Sequence, residues 1–238
     1  MGRVFQIEDR VLLADTDPNG RMRLDAVSRV LQDAATLDVE SASLTKKGPW
    51  VIRWMEMTAH GLPRYLDELA IETYCSGLGR AWAERSTVIK SRSASVRATA
   101  NWVLLDDLGR SPIRLSEEFL SLYGPSANGR TSSPRLRLLH RLSDSKPSEK
   151  LVIPLRFCDL DIMGHMNNAV HLALVEESLY QLDLKLLDEF SYRIEFLAEI
   201  EPKAPVVIEL RDSDSSTLLA LVQNEATKSI IELSQVIQ

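Results

Sequence analysis

One short pattern occurs twice in this chain, and its spacing limits the possible folds more than any bulk property does. Asp15-Thr16-Asp17-Pro18-Asn19-Gly20-Arg21-Met22 lies without a gap on Asp159-Leu160-Asp161-Ile162-Met163-Gly164-His165-Met166, and every matched pair is 144 residues apart. Each copy follows a short apolar run, Val11-Leu12-Leu13 in the first and Leu151-Val152-Ile153 in the second, and each leads into an amphipathic helix. A supersecondary unit repeated at a fixed offset implies a duplicated domain. The copies differ where Arg21 gives way to His165 and where Asn167-Asn168 open the second helix. The expectation is a pseudodimer with one specialised half and one supporting half.

The pattern of apolar residues fills in each copy. Leu24, Val27, Leu31 and Ala34 recur at three- and four-residue intervals and predict a first helix. Strands are predicted over 49–57, over Leu69 to Cys75 with a stop at Gly77 and Gly79, and over 96–104, where apolar and polar residues alternate. Asp106-Asp107-Leu108-Gly109 reads as a hairpin turn. In the second copy Leu172, Val175, Leu179, Leu182 and Leu186 form one helical stripe, read as core, followed by strands over Tyr192 to Ile200 and Val206 to Leu210. Between the copies, Gly124-Pro125-Ser126-Ala127-Asn128-Gly129 and Thr131-Ser132-Ser133-Pro134 are turn-rich. The expected organisation is a first domain over 1–124, a linker over 125–149 and a second domain over 150–238. One long helix and several strands, twice over, argue for an α+β fold with antiparallel sheets wrapped on their helices, and against a doubly wound fold.

Composition excludes several classes. Hydrophobic residues at 45% and charged residues at 26% allow a buried core. A net charge of −6 does not support general nucleic-acid binding, and no apolar stretch is long enough to span a bilayer. Charge interrupts the first eight residues too early for a secretory signal. Cys75 and Cys158 sit in apolar contexts in different copies, which fits buried thiols in a reducing cytoplasm rather than a disulfide framework. Four histidines and two cysteines without ligand spacing argue against a metal site, and nothing calls for a cofactor. Positive charge clusters only at Arg130, Arg135, Arg137 and Arg141, with His140. That stretch is either a solvated linker or a docking strip for an acidic partner.

Within the motif His165 stands apart, because its counterpart is an arginine and it lies beside a helix start. Asp161 either caps its turn, as Asp17 does in the half without chemistry, or orients the histidine. Asn167 or Asn168 reads as a helix cap. Glu199 falls in the apolar run Phe196-Leu197-Ala198-Glu199-Ile200, where a charge needs a partner, a role or an outward edge position.

The stretch from Arg156 to Ala169, with its Asp-x-Asp-x-x-Gly-His-x-Asn-Asn pattern, resembles the signature of hotdog-fold thioesterases. The whole chain is similar to the acyl-ACP thioesterase family, through Leu31-Gln32-Asp33-Ala34-Ala35, Trp50-Val51-Ile52-Arg53-Trp54 and Tyr192 to Pro202. The resemblance implies a tandem, or double, hotdog. It implies catalytic roles for Asp161, His165 and Glu199, and an apolar tunnel for the acyl chain in the first copy. It also exposes two departures: Met163 occupies the family's asparagine position, and Ile200 follows the glutamate where plant relatives have a cysteine. The implied activity is hydrolysis of fatty acyl-ACP in fatty acid biosynthesis, with the four arginines as docking sites for an acidic carrier. An acyl-CoA thioesterase and a non-catalytic acyl-binding module are the rival readings. A homodimer is left open.

Overall fold

The computed structural model describes residues 2–45, 48–143, 146–213, 216–234 and 236–237. Met1 and Asp144-Ser145 of the expected linker lie outside the described residues. The first half contains β1 (Phe5–Arg10), α1 (Leu24–Ala42), β2 (Trp50–His60), β3 (Glu68–Leu78), β4 (Trp82–Lys90), β5 (Ser95–Leu104) and α2 (Glu117–Ala127). A short α3 (Leu139–Ser143) precedes the second half: β6 (Glu149–Ile153), α4 (Val170–Gln181), β7 (Lys185–Leu186), β8 (Glu189–Phe196), β9 (Val206–Ser213), β10 (Ser216–Gln223), β11 (Ala226–Leu233) and β12 (Val236–Ile237). Ten strands form one antiparallel sheet in the order β1-β3-β4-β5-β2-β8-β11-β10-β9-β6, so two five-stranded halves meet edge to edge at β2 and β8.

The helical face of this sheet holds the core. From α1 come Leu24, Val27, Leu31 and Ala34, all buried, and from α4 come Leu172, Val175 and Leu179. They pack on Met55, Met57, Ile71, Ile194 and Ile231 in one continuous cluster. Fully burying each such aliphatic side chain contributes about 1.5–3 kcal/mol. The helices also touch each other, so the two halves share one core. α4 ends at Gln181, earlier than its leucine stripe suggests; Leu182 and Leu186 reach the same core from beyond the helix.

The seam has an approximate twofold axis. Glu56 faces Arg193 across β2 and β8, flanked by Met55 opposite Ile194 and Met57 opposite Tyr192. Met22 donates its N–H to Pro63 O at 2.8 Å, and Met166 donates to Ile200 O at 3.0 Å, which makes Pro63 and Ile200 counterparts 137 residues apart. Glu56 and Arg193 are separated by the same 137 residues, so they are at once counterparts and partners and lie on the axis.

The chain between the halves does not hang free. Gly124, Pro125 and Ala127, read as turn, belong to α2, because Tyr123 and Ala127 are buried against β3 and the end of α1. Tertiary packing overrides local propensity there. Beyond α2 the segment crosses the other face of the sheet and is pinned to it. Trp54 Nε1 donates to Ser133 O and Trp82 Nε1 to Ser132 O, both at 2.9 Å. Glu195, with none of its surface exposed, accepts the N–H groups of Arg137 and Leu138 at 2.8–2.9 Å and Arg193 Nε at 2.7 Å.

Two further expectations need correction. Leu12 and Leu13 are exposed and start a 3-10 turn (Leu13–Asp15), while the strand lies earlier, at β1. Cys75 is buried as expected, but Cys158 is exposed in the corresponding turn of the second copy.

Glu195→Ala strips a buried arginine and two backbone donors of their acceptor, so it is expected to cost about 3 kcal/mol in urea unfolding. Glu56→Ala removes a partly exposed partner of the same arginine and is expected to cost less than about 1 kcal/mol.

Candidate active site

The duplicated motif folds into the same loop twice. Asp15 and Asp159 accept the N–H of Leu12 and of Arg156, at 2.9 and 2.8 Å. Asp17 and Asp161 accept the N–H two residues on, from Asn19 and Met163, both at 2.9 Å. Gly20 and Gly164 close the turns with φ of 74° and 80°, a left-handed conformation that glycine adopts without strain. Asp161 therefore does in the second copy what Asp17 does in the first: it caps the turn. Among the described residues its side chain bonds only the N–H of Met163.

His165 and Glu199 come together at the end of this loop. Nε2 of His165 lies 3.2 Å from Oε2 of Glu199, with the two side chains 35% and 69% exposed. The backbone builds this pairing. The N–H groups of Leu197 and Ala198 both donate to Lys228 O, which ends β8 at Phe196 and peels the chain away from β11. The bond from Met166 N–H to Ile200 O then clips the released segment to the motif, setting residue 199 beside residue 165. Glu199 thus sits on a loop after the strand, not within one.

The first half has the same scaffold without the His–Glu pair. The counterpart of His165 is Arg21, which pairs with Asp17 at 3.3 Å. The counterpart of Glu199, one residue before Pro63, is Leu62, which is buried in the core. Both members of the pair are replaced.

Beside the site, Asn167 Oδ1 accepts the N–H of Ala169 at 2.8 Å and holds the first turn of α4. A helix start of this kind presents backbone N–H groups and the positive end of its dipole. Asn168 lines a cavity of about 30 Å³ between α1 and the first-half sheet, together with Leu31, Gln32, Ile52, Met55 and Trp102. Arg85 closes its polar side, held at 2.7 Å by the buried Asp38. A larger cleft of about 1470 Å³ lies between the first-copy loop and α4, lined by Arg21, Arg64 and Glu176, and reaches neither His165 nor Glu199. The larger cleft and the His165–Glu199 pair do not coincide. Met163 is 66% exposed at the loop tip, outside both linings.

Sequence reasoning passed over Gln32 and Glu176, which reach across between the helices, and His171, buried at the start of α4 with its ring edge-on to Phe196 at 5.0 Å. The constant offset was the available signal for the first two, since they too are 144 residues apart. The arginine strip is largely occupied. Arg130 pairs with Glu84, Arg137 with Glu56 and Arg141 with Glu232, which fastens the crossing segment to the sheet. Arg135 is exposed, and no ion pair to it is found among the described residues.

Residues 2–123 match the family profile "Acyl-ACP thioesterase N-terminal domain", and residues 142–233 match "Acyl-ACP thioesterase C-terminal domain". An uncharacterized protein of Mycobacterium tuberculosis is 20% identical over 96% of this chain and 90% of its own length. The Arabidopsis thaliana "Oleoyl-acyl carrier protein thioesterase 2, chloroplastic" is 24% identical over 68% of this chain and 50% of its own. Among solved structures, a putative oleoyl thioesterase from Lactobacillus plantarum superposes with a TM-score of 0.81 at 16% identity, over 100% of this chain and 98% of that one. The 12:0-ACP thioesterase from Umbellularia californica gives 0.78 at 17% identity, over 97% and 96%. Among the described residues no helix is long and apolar enough to cross a membrane.

A half-buried glutamate and a buried histidine around the helix pair titrate away from their ordinary ranges, with opposite effects. Burial pushes the Glu176 carboxyl up to about 7, against the opposing pull of the Leu24 N–H, Arg21 and Arg23; Asp25 adds to the rise. Unfolded, it titrates near 4.5, so its contribution favours the fold below that pH and is lost as pH rises through 7. Burial holds His171 down at about 4 from 6.5, so its contribution is present above 6.5 and lost as pH falls through 4. Denaturant titrations from pH 4 to 8 are expected to show Glu176→Gln gaining on wild type as pH rises. His171→Leu is expected to gain on wild type as pH falls.

Proposed function

This chain belongs to the acyl-ACP thioesterase family, and from that premise we propose that it hydrolyses fatty acyl thioesters on acyl carrier protein with catalytic groups supplied by its second half. The observation that carries this reading is the contact of His165 with Glu199 beside the start of α4, replaced by Arg21 and Leu62 in the first half. Glu199 accepts the Nε2–H of His165, which fixes the tautomer and leaves Nδ1 to take a proton from water. The oxygen of that water bonds to the thioester carbon, and the carbonyl π electrons move onto oxygen, where the N–H groups of the α4 start stabilise the charge. Collapse re-forms the carbonyl and breaks the C–S bond, and the proton on His165 passes to the departing sulfur. The products are a fatty acid and the carrier thiol, with one water consumed. In this scheme Asp161 holds the loop and touches no reacting atom.

The first half, residues 1–124, serves as the acyl holder in this reading, and residues 150–238 as the catalyst. The cavity beneath α1 is apolar on most sides, but its 30 Å³ admits a water or two, so an acyl chain enters only as α1 moves off the sheet. For an acidic carrier protein Arg135 is the best placed cation of the strip, because Arg130, Arg137 and Arg141 already neutralise carboxylates of this chain.

Steady-state kinetics on a panel of carrier-protein and CoA thioesters tests the proposal. His165→Ala and Glu199→Gln are each expected to lower kcat on the order of a hundredfold, with KM changed only a few-fold. Full turnover in either folded variant removes that residue from the mechanism. Ala35→Val narrows the cavity and is expected to raise KM for long chains while sparing short ones; equal effects on both would put the acyl chain elsewhere. Met163→Asn, at an exposed tip, is expected to leave chain-length preference unchanged.

A further inference from the structure

Gln32 on α1 and Glu176 on α4 are counterparts under the 144-residue offset, and each reaches across the helix pair to the start of the other helix. Glu176 Oε2 accepts the N–H of Leu24 at 2.8 Å. Gln32 Nε2 donates to Asn167 Oδ1 at 3.1 Å. Leu24 and Asn168 are also counterparts, so the N–H that Glu176 takes in one half corresponds to that of Asn168 in the other. Among the described residues the Asn168 N–H has no acceptor.

The difference follows from what the two side chains offer. A carboxylate near a helix start has only acceptors, so it takes the first available N–H. An amide also donates, and here its donor goes to Asn167 Oδ1, the atom that already holds the N–H of Ala169. The first turn of α4 is thereby tied down through a side chain, and the N–H of Asn168, just ahead of α4, is left without an acceptor among the described residues, at a residue that lines the same cavity as Gln32. In the other half Glu176 caps α1, with Arg21 3.8 Å from its second oxygen.

We propose that Gln32 is a positioning residue that keeps the start of α4 free for the thioester oxygen, whereas Glu176 closes the matching place at the start of α1. One nitrogen-for-oxygen difference between counterpart side chains then decides which helix start can stabilise an oxyanion. The inference rests on the hydrolase reading above for its catalytic consequence, but its structural content stands apart from turnover. Gln32 touches no reacting atom; it acts through Asn167 and the backbone it holds.

Gln32→Glu is the decisive variant, since it copies the closed half into the open one. Residue-resolved amide exchange by NMR on the wild-type protein is expected to find Leu24 protected and Asn168 unprotected, and Gln32→Glu is expected to protect Asn168. In kinetics Gln32→Glu is expected to lower kcat on the order of a hundredfold with KM for a long-chain thioester within about threefold. Gln32→Ala removes the tie without supplying a carboxylate, so a loss of roughly tenfold with Asn168 still unprotected is expected. Glu176→Gln is expected to leave kcat and KM within about twofold. An unprotected Asn168 in folded Gln32→Glu, or kcat within threefold of wild type, overturns the proposal. If the wild-type protein turns over no acyl thioester, the hydrolase reading fails by itself. The exchange measurement then decides this inference alone: protection of Asn168 in Gln32→Glu sustains it, and no change refutes it.

Discussion

The pairing of β2 with β8 is the contact on which the rest of the molecule depends. Each half brings five strands and an open edge, and an unpaired edge of this length invites association with other chains. Joining the two edges removes that liability and puts α1 and α4 against each other on one face. Every cross-helix contact follows from that proximity. Glu176 can reach the start of α1, and Gln32 the start of α4, only because the seam holds the helices side by side. The proposed site is therefore a property of the pair of halves, although the His165–Glu199 contact lies within one of them.

The opposite face of the sheet shows how the seam is reinforced. Arg193 lies on the approximate twofold axis, bonded to Glu56 across the seam and to Glu195 along its own strand, with its guanidinium 4.6 Å from the Trp54 ring. Glu195 in turn holds the backbone of the crossing segment at Arg137 and Leu138. A buried charge network of this kind contributes little net energy but penalises any arrangement that leaves one member unpaired. It specifies how the halves dock more than how strongly they do so.

Much of this was legible in the sequence because it is periodic or repeated. The offset of 144 identified the two loops residue by residue, and the three- and four-residue spacing identified α1. What escaped the sequence depends on contacts distant along the chain. Glu199 leaves its strand because one carbonyl, Lys228 O, takes two consecutive N–H groups, and nothing near residue 199 signals it. β4 was missed because Glu84 and Arg85, on its two opposite faces, break the apolar pattern, and their partners Arg130 and Asp38 lie far away in the chain. The Gly-Pro of α2 reads as a breaker until Tyr123 and Ala127 are seen to be buried. The arginine strip looked free because the carboxylates that neutralise it, Glu56, Glu84 and Glu232, come from three separate strands.

The fusion of two equivalent units into one chain has a consequence for how such a molecule can change. In a symmetric dimer of identical subunits, any substitution appears at both related positions at once. A residue good for catalysis at one place would then be imposed on its twin, whatever it costs the fold there. Here residues 21 and 165, 32 and 176, and 62 and 199 are encoded separately. Each member of these pairs can be tuned for its own surroundings, so one half is free to optimise packing while the other tolerates an exposed carboxylate and a loosely covered imidazole.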